Sequence, residues 1–389
     1  MPEYFVFLTK TAAKQLHKPR RLAAASLILG LVYLFCSGNC LPKVKYSASG
    51  FLFGQPFQTT VDSPAAKTFL ENPADSSLQS ILRETEAQPL ENATLAALSA
   101  KTSTDFATFY LLDRWYRQPE NHAAQDDFRG FIQKIAPSQT LPAECDDLKN
   151  YLVVFVPGLA YREDRTTGAD FARQIQLLTA AGIPNLLIET DEWGLSEANA
   201  LIIAQKLREL NAAHERILLV SASKGGLEVA IALGKILRPD EVPHLKAWVS
   251  VGGILRGSPV ADQYLCFPKC WLAEVQLFFK GKDISTVRDI SHKRRSVEFA
   301  ELRFSEHLLK IQFVGAPLAT QISREIRGRW CSMRHIAPND GLTTLPDQII
   351  PGSLIVSEPG LDHYFRDPAI DVKTLALACV AEKRLRANK

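Results

Sequence analysis

The stretch Ile217-Leu218-Leu219-Val220-Ser221-Ala222-Ser223-Lys224-Gly225-Gly226-Leu227-Glu228-Val229-Ala230 decides how this chain folds. Residues 217–220 are a short, wholly apolar run, the pattern of a strand buried on both faces. Residues 227–234 carry apolar side chains at helical spacing. Between them lies a corner of small residues. A serine held at such a corner is pushed beyond the carboxyl edge of its sheet, where its hydroxyl can attack a carbonyl. The pattern is a degenerate G-x-S-x-G, with Ser221 standing where the first glycine usually falls. Taken alone it is a weak signal that better describes a polar helix start. Its weight comes from the segments on either side.

Those segments alternate in period. Apolar strands are predicted over 151–156, 185–189, 217–220, 247–251, 311–314 and 353–356, with helices over 169–181, 196–213 and 227–234 between them. Ser196 is the expected cap of the second helix. The alternation predicts an α/β fold, a mostly parallel sheet with helices on both faces. Such sheets bind ligands at the carboxyl ends of their strands. Ser223 falls at one of these ends.

A serine nucleophile needs a base to take its proton, a carboxylate to orient the base, and amide donors aimed at the developing oxyanion. His363, in Gly360-Leu361-Asp362-His363-Tyr364-Phe365, directly follows the last strand and is the candidate base. His335 and His307 are the alternatives, though neither directly follows a strand. Asp340, in the turn Pro338-Asn339-Asp340-Gly341-Leu342, is the candidate acid, with Asp347 and Glu358 as substitutes. Asp362 is expected to shape the loop of His363 instead. The first strand runs into Pro157-Gly158-Leu159-Ala160, so the Leu159 N–H is one candidate oxyanion donor. The Lys224 N–H is the second, at a helix start whose field favours negative charge. The Lys224 side chain is expected to face solvent. Serine, acid and histidine occur in the order this architecture uses.

Four of these segments carry a resemblance. Val156-Pro157-Gly158-Leu159-Ala160 looks like the V-H-G-L-A/x stretch of bacterial triacylglycerol lipases and esterases with the α/β-hydrolase fold, and Ser223-Lys224-Gly225-Gly226 is similar to their elbow. Arg256-Gly257-Ser258-Pro259-Val260-Ala261-Asp262 resembles their R-G-S-P-V-A-D loop, and Asn339-Asp340-Gly341-Leu342 their acid loop. The resemblance covers roughly 150 to 370. It implies an α/β-hydrolase fold with Ser223 as nucleophile, Asp340 as acid, His363 as base, and Leu159 and Lys224 as amide donors. Pro157, Ser221-Ala222 and Gly253-Ile254-Leu255 depart from the lipase pattern. The lipases' calcium ligands cannot be traced here, so no metal is expected, and the chemistry requires no organic cofactor.

Composition narrows the classes further. The chain has 389 residues, 46% apolar and 22% charged, which excludes a polytopic membrane protein and a largely disordered one. A formal charge of +3 without aromatic interleaving of the basic residues argues against a nucleic-acid partner. Lys10, Lys14, Lys18, Arg20 and Arg21 precede an apolar run over 22–36, so residues 1–40 read as a signal peptide or membrane anchor. Cleavage after Gly38, lipidation at Cys36 or Cys40, and an uncleaved anchor all stay open. Each implies an exported protein, periplasmic, membrane-anchored facing the periplasm, or secreted. Residues 41–145 read as an amino-terminal helical region, entered by a tether or irregular strand over 41–60. Residues 146–389 read as the hydrolase-type domain, with a cap insertion at about 262–335.

Within that insertion, Trp271, Leu272, Val275, Leu277, Phe278 and Phe279 make an apolar helix, read equally as a lid over the site and as a core-packed helix. The basic run from Arg288 to Arg334 reads by default as solvated surface, with contact to a membrane surface or anionic polymer as the sharper alternative. Cys266 and Cys270 are expected in a disulfide near the site, with Cys331 as a partner, and Cys379 as a buried thiol. The expected activity is cleavage of a small-molecule or lipid ester through an acyl-enzyme. A catalytically idle envelope-binding module, a thioesterase and an acyltransferase are the alternatives.

Overall fold

The computed structural model describes residues 44–387, so the leader read over 1–40 lies outside the described residues. Among the described residues no helix is long and apolar enough to cross a membrane. Six strands build the main sheet: β3 (Leu152–Val156), β4 (Asn185–Leu187), β5 (Ile217–Ala222), β6 (Leu245–Val251), β7 (Leu309–Ala316) and β8 (Leu354–Pro359). They lie in the order β4-β3-β5-β6-β7-β8, and every neighbouring pair is parallel. Strand side chains alternate between two apolar layers. Val153, Phe155, Leu218, Val220, Val249 and Phe313 face the helices Pro119–Ile135, Ala172–Ala180 and Ile370–Ala387. Leu152, Val154, Val156, Ile217, Leu219 and Trp248 face the helices Ser196–Ala213 and Lys224–Ile231. Each fully buried side chain of this size contributes about 1.5–3 kcal/mol, so neither face of the sheet can be left open.

Both sheet edges are managed. β4 is three residues long, which limits the unpaired backbone it offers. At the other edge, helix Pro119–Ile135 replaces a missing strand with side-chain amides. Gln125 accepts from the Ser357 N–H at 2.8 Å and donates to the Ser357 carbonyl at 3.1 Å. Asn121 accepts from the Ile355 N–H at 2.8 Å.

The chain enters through a hairpin, β1 (Tyr46–Leu52) and β2 (Gln55–Val61), where the sequence reads as a tether or irregular strand. Its turn residues Phe53 and Gly54 have φ of 52° and 71°, the left-handed pair that a two-residue hairpin turn needs. Ser63 caps helix Pro64–Glu71, accepting from the Ala66 N–H at 3.1 Å. Hairpin and helices share one apolar cluster with Val314, Ala316 and Ile355, so this block packs on β7 and β8.

Three sequence expectations change here. β7 lies inside the stretch 262–335, so the cap is two excursions, one before β7 and one after it. The first carries helices Pro259–Tyr264, Lys269–Phe279, Ser285–Asp289 and His292–Glu301. Ser196 does not cap its helix; its N–H and hydroxyl both donate to Asp289, at 2.8 and 2.5 Å. The basic run is not all free surface. Arg295 is buried and bonded to Asp289, Glu197 and Glu298, pinning the cap to helix Ser196–Ala213. Helix Lys269–Phe279 is not core-packed: Trp271 and Phe279 are 60% and 82% exposed.

The amino-terminal block is also tied down by a buried carboxyl. Asp105 accepts from the Asp62 and Ala319 N–H groups, both at 2.8 Å. Burial, and then the nearby Asp62 carboxylate, push its pKa up to about 8. A carboxyl whose folded pKa lies above its unfolded value stabilises the fold at low pH and loses that contribution as pH rises. Unfolding free energy is therefore expected to fall between about pH 5 and about pH 8.5, and Asp105→Asn to flatten that slope. Urea titrations of both proteins across this range check it; equal slopes would contradict it.

Candidate active site

β5 ends at Ala222 and helix Lys224–Ile231 begins at once, leaving Ser223 to turn the chain with φ 51° and ψ −120°. A non-glycine residue held this way stores on the order of 1–3 kcal/mol of strain. Its surroundings fix it: the Ser223 N–H donates to Val251 O at 3.0 Å, and its carbonyl accepts from Gly226 and Ile254 at 3.0 and 3.1 Å. The glycines are there for proximity. A Cβ on Gly225 would lie 2.3 Å from Pro157 O, and one on Gly158 would lie 3.3 Å from Ser223 Cβ. The departure at Ser221 has a local reason. This buried hydroxyl accepts from the Trp248 indole N–H at 2.8 Å, a donor that glycine would leave unpaired.

His363 leaves β8 and reaches the serine. Its Nε2 is 2.8 Å from Ser223 Oγ, and its Nδ1 is 2.7 Å from Asp340 Oδ2. Its backbone N–H also donates to Asp340 O at 2.9 Å. Asp340 Oδ1 accepts from the Leu342 and Thr343 N–H groups, each at 2.9 Å. Asp362 accepts from the N–H groups of Ser323 and Tyr364, so it shapes the loop. His307 and His335 are exposed. Asp347 is paired with His292 at 3.0 Å and Glu358 with Lys373 at 3.0 Å, so neither serves His363.

The acid loop is fastened by the R-G-S-P-V-A-D segment. Arg256 Nη1 donates to the carbonyls of Pro346, Asp347 and Ile349, and its guanidinium lies 4.1 Å over the Phe299 ring. The Ser258 hydroxyl donates to Leu342 O, and Thr343 Oγ1 donates to Gly257 O at 3.1 Å. Asp262 accepts from the Ser291 hydroxyl and the Lys293 N–H, closing the first cap excursion onto the same segment.

Leu159 and Lys224 line the same cleft as Ser223 and His363. The Lys224 side chain does not face solvent as expected. It is 2% exposed and ion-paired with Glu228, which also accepts from Asn199 Nδ2 at 2.7 Å. Burial pushes the Glu228 carboxyl up to about 7, against the opposing pull of Lys224. The cleft has a volume of about 850 Å³ and is walled by Phe171, Ile254, Val260, Leu277, Val287 and Ile290. Leu277 and Val287 come from the cap. Sequence reasoning missed Gln348, whose Nε2 donates to Asp340 Oδ2 at 3.0 Å, and no pattern in the sequence marks it. The anchoring role of Arg256 was visible only as membership of a motif.

Cysteine pairing differs from expectation. Cys266 and Cys270 are free, as are the buried Cys145 and Cys379, whereas Cys331 is disulfide-bonded. Among the described residues no cluster of side chains is arranged to hold a metal ion.

A parallel sheet in this order, with a strained serine between β5 and the following helix and a histidine after β8, is an α/β-hydrolase fold. The sequence matches no protein-family model and no curated protein. Among solved structures the chain is similar to a metagenomic carboxyl esterase, at 21% identity and a TM-score of 0.49 over 62% of this chain and 77% of that one. It is also similar to a Bacillus licheniformis lipase in its mature form, at 19% identity and 0.46 over 58% and 91%. A thioesterase of prodiginine biosynthesis from Streptomyces coelicolor follows at 16% and 0.33, over 59% and 89%. The fold assignment rests on this chain's own strand order and elbow.

Close backbone approach at the elbow yields a paired prediction. Gly225→Ala is expected to destabilise by about 1–3 kcal/mol, because its methyl meets backbone rather than a yielding side chain. Gly328→Ala, on helix Arg327–Met333 with nothing within 4 Å of its Cβ, is expected to be neutral or mildly stabilising. Thermal unfolding of the two variants separates these outcomes; equal midpoints would contradict the packing argument.

Proposed function

We propose that the protein is a serine hydrolase that cleaves carboxylic esters with an apolar acyl portion. The observation that carries this reading is the chain Ser223 Oγ–His363 Nε2 at 2.8 Å and His363 Nδ1–Asp340 Oδ2 at 2.7 Å, built on a strained elbow at the floor of an apolar cleft. His363 takes the Ser223 proton as the hydroxyl oxygen attacks the ester carbonyl. Asp340 holds the ring so that Nε2 faces the serine and stabilises the imidazolium that forms. The oxyanion of the tetrahedral intermediate takes hydrogen bonds from the Leu159 and Lys224 N–H groups, the second at a helix start. His363 then hands its proton to the departing alcohol, leaving an acyl-enzyme. Water attacks that ester by the same route in reverse roles, releasing the acid and restoring Ser223.

The apolar walls support an acyl chain as the recognised portion. Exposed Phe267, Trp271 and Phe279 on the first cap excursion support contact with a lipid surface. The basic and apolar pattern of residues 1–40 supports export, and the disulfide at Cys331 fits an oxidising compartment.

Hydrolysis of p-nitrophenyl esters of graded chain length tests the reading. Wild type is expected to turn over the apolar esters, and Ser223→Ala to lose up to about 10⁶-fold in kcat. Unchanged hydrolysis by Ser223→Ala would overturn it.

A further inference from the structure

Asp340 is saturated. An ionised carboxylate offers about four acceptor positions, and here all are taken: Oδ1 by two backbone N–H groups, Oδ2 by His363 Nδ1 and Gln348 Nε2. Among the described residues, the one side-chain donor to Asp340 besides the histidine is therefore a neutral amide, on the very oxygen that holds His363. Gln348 is 1% exposed, and its Oε1 receives no hydrogen bond among the described residues. The orientation of the amide follows, since only its NH₂ end can face a carboxylate oxygen.

The turn that presents this amide is held from several sides. Arg256 bonds the carbonyls of Pro346, Asp347 and Ile349, the residues flanking Gln348. Asp347 accepts from Thr344 Oγ1 at 2.6 Å and Asn92 Nδ2 at 2.9 Å, and is paired with His292 at 3.0 Å. Asp347 and His292 pair with each other and Arg256 bonds backbone carbonyls, so Gln348 is the side chain of this turn that meets Asp340.

We propose that Gln348 is a positioning residue for the base: its amide fixes the Asp340 oxygen that orients His363 and tempers that oxygen's pull on the imidazole proton. The proposal rests on the hydrolase reading above. A donor on a carboxylate stabilises its charged form and lowers its proton affinity. Removing that donor makes Asp340 Oδ2 a stronger acceptor for His363 Nδ1–H and favours the imidazolium. It also frees the carboxylate to rotate about its remaining bonds. The first effect moves the acidic limb of kcat/KM to higher pH; the second lowers kcat without touching substrate binding.

Gln348→Met keeps the length and apolar stem but has no donor. Its kcat on the best p-nitrophenyl ester is expected to fall about 10- to 100-fold, the worth of one hydrogen bond to a charged group, with KM within about 2-fold of wild type. Its acidic limb is expected at higher pH than wild type. Gln348→Glu keeps the size and donates only when it shares a proton, so its rate relative to wild type is expected to rise as pH falls. That variant keeps the proposal testable if the methionine variant folds poorly. An unmoved acidic limb with a loss no larger than the lost folded fraction, or a change confined to KM, would overturn the proposal. Failure of wild type to hydrolyse any ester would instead overturn the hydrolase reading itself.

Discussion

The site depends on a close approach of backbones that only glycine permits. The elbow can hold Ser223 at φ 51° because Gly225 sits against Pro157 O and Gly226 against Gly253, with no room for a Cβ at either place. These contacts bring the end of β3, the end of β5 and the segment after β6 to one point. The same approach puts Leu159 and Lys224 in the lining of the cleft that Ser223 and His363 share. A looser corner would relax the serine into ordinary backbone geometry and separate it from those residues.

Around that point the molecule spends much of its bonding on the other two residues. Arg256, Ser258 and Gly257 reach from the segment after β6 to the acid loop, so Asp340 is held from a different strand connection than its own. His363 is carried by β8, an edge strand whose free backbone groups are taken by Asn121 and Gln125. The amino-terminal block thus closes the sheet on the side where His363 arises. It also supplies Asn92 to Asp347, one residue from Gln348. The amino-terminal layer is in this way coupled to the positions of Asp340 and His363.

Much of this was legible in the sequence, and the limits have physical causes. Strand-helix alternation fixed the layered sheet because a strand buried on both faces must be apolar throughout, as β3 is. Ser223 and His363 each follow a strand and Asp340 lies in the connection between the last two strands, so their convergence at one sheet edge followed from topology. Residues 41–60 read as a tether or irregular strand, and their pairing into a hairpin was missed because Phe53-Gly54 is an uncommon pair for its turn and the strands alternate weakly. Lys224 was misplaced because a lysine is ordinarily exposed, and its partner Glu228 lies one helical turn on, inside the same buried face. Arg295 failed in the same way: two of its three acidic partners, Glu197 and Asp289, come from other helices. Gln348 could not be found at all, since its meaning lies in a distance to Asp340 rather than in any spacing.

On the reading proposed above, Ser223, His363 and Asp340 with the Leu159 and Lys224 amides act as one acyl-transfer apparatus. A crystal structure of the protein after reaction with an alkyl fluorophosphonate tests it most directly, because the adduct mimics the tetrahedral intermediate. We expect phosphorus bonded to Ser223 Oγ, and its free oxygen about 2.7–3.1 Å from both the Leu159 and Lys224 nitrogens. A folded protein that forms no adduct, or an adduct whose oxygen points away from both amides, would contradict the account.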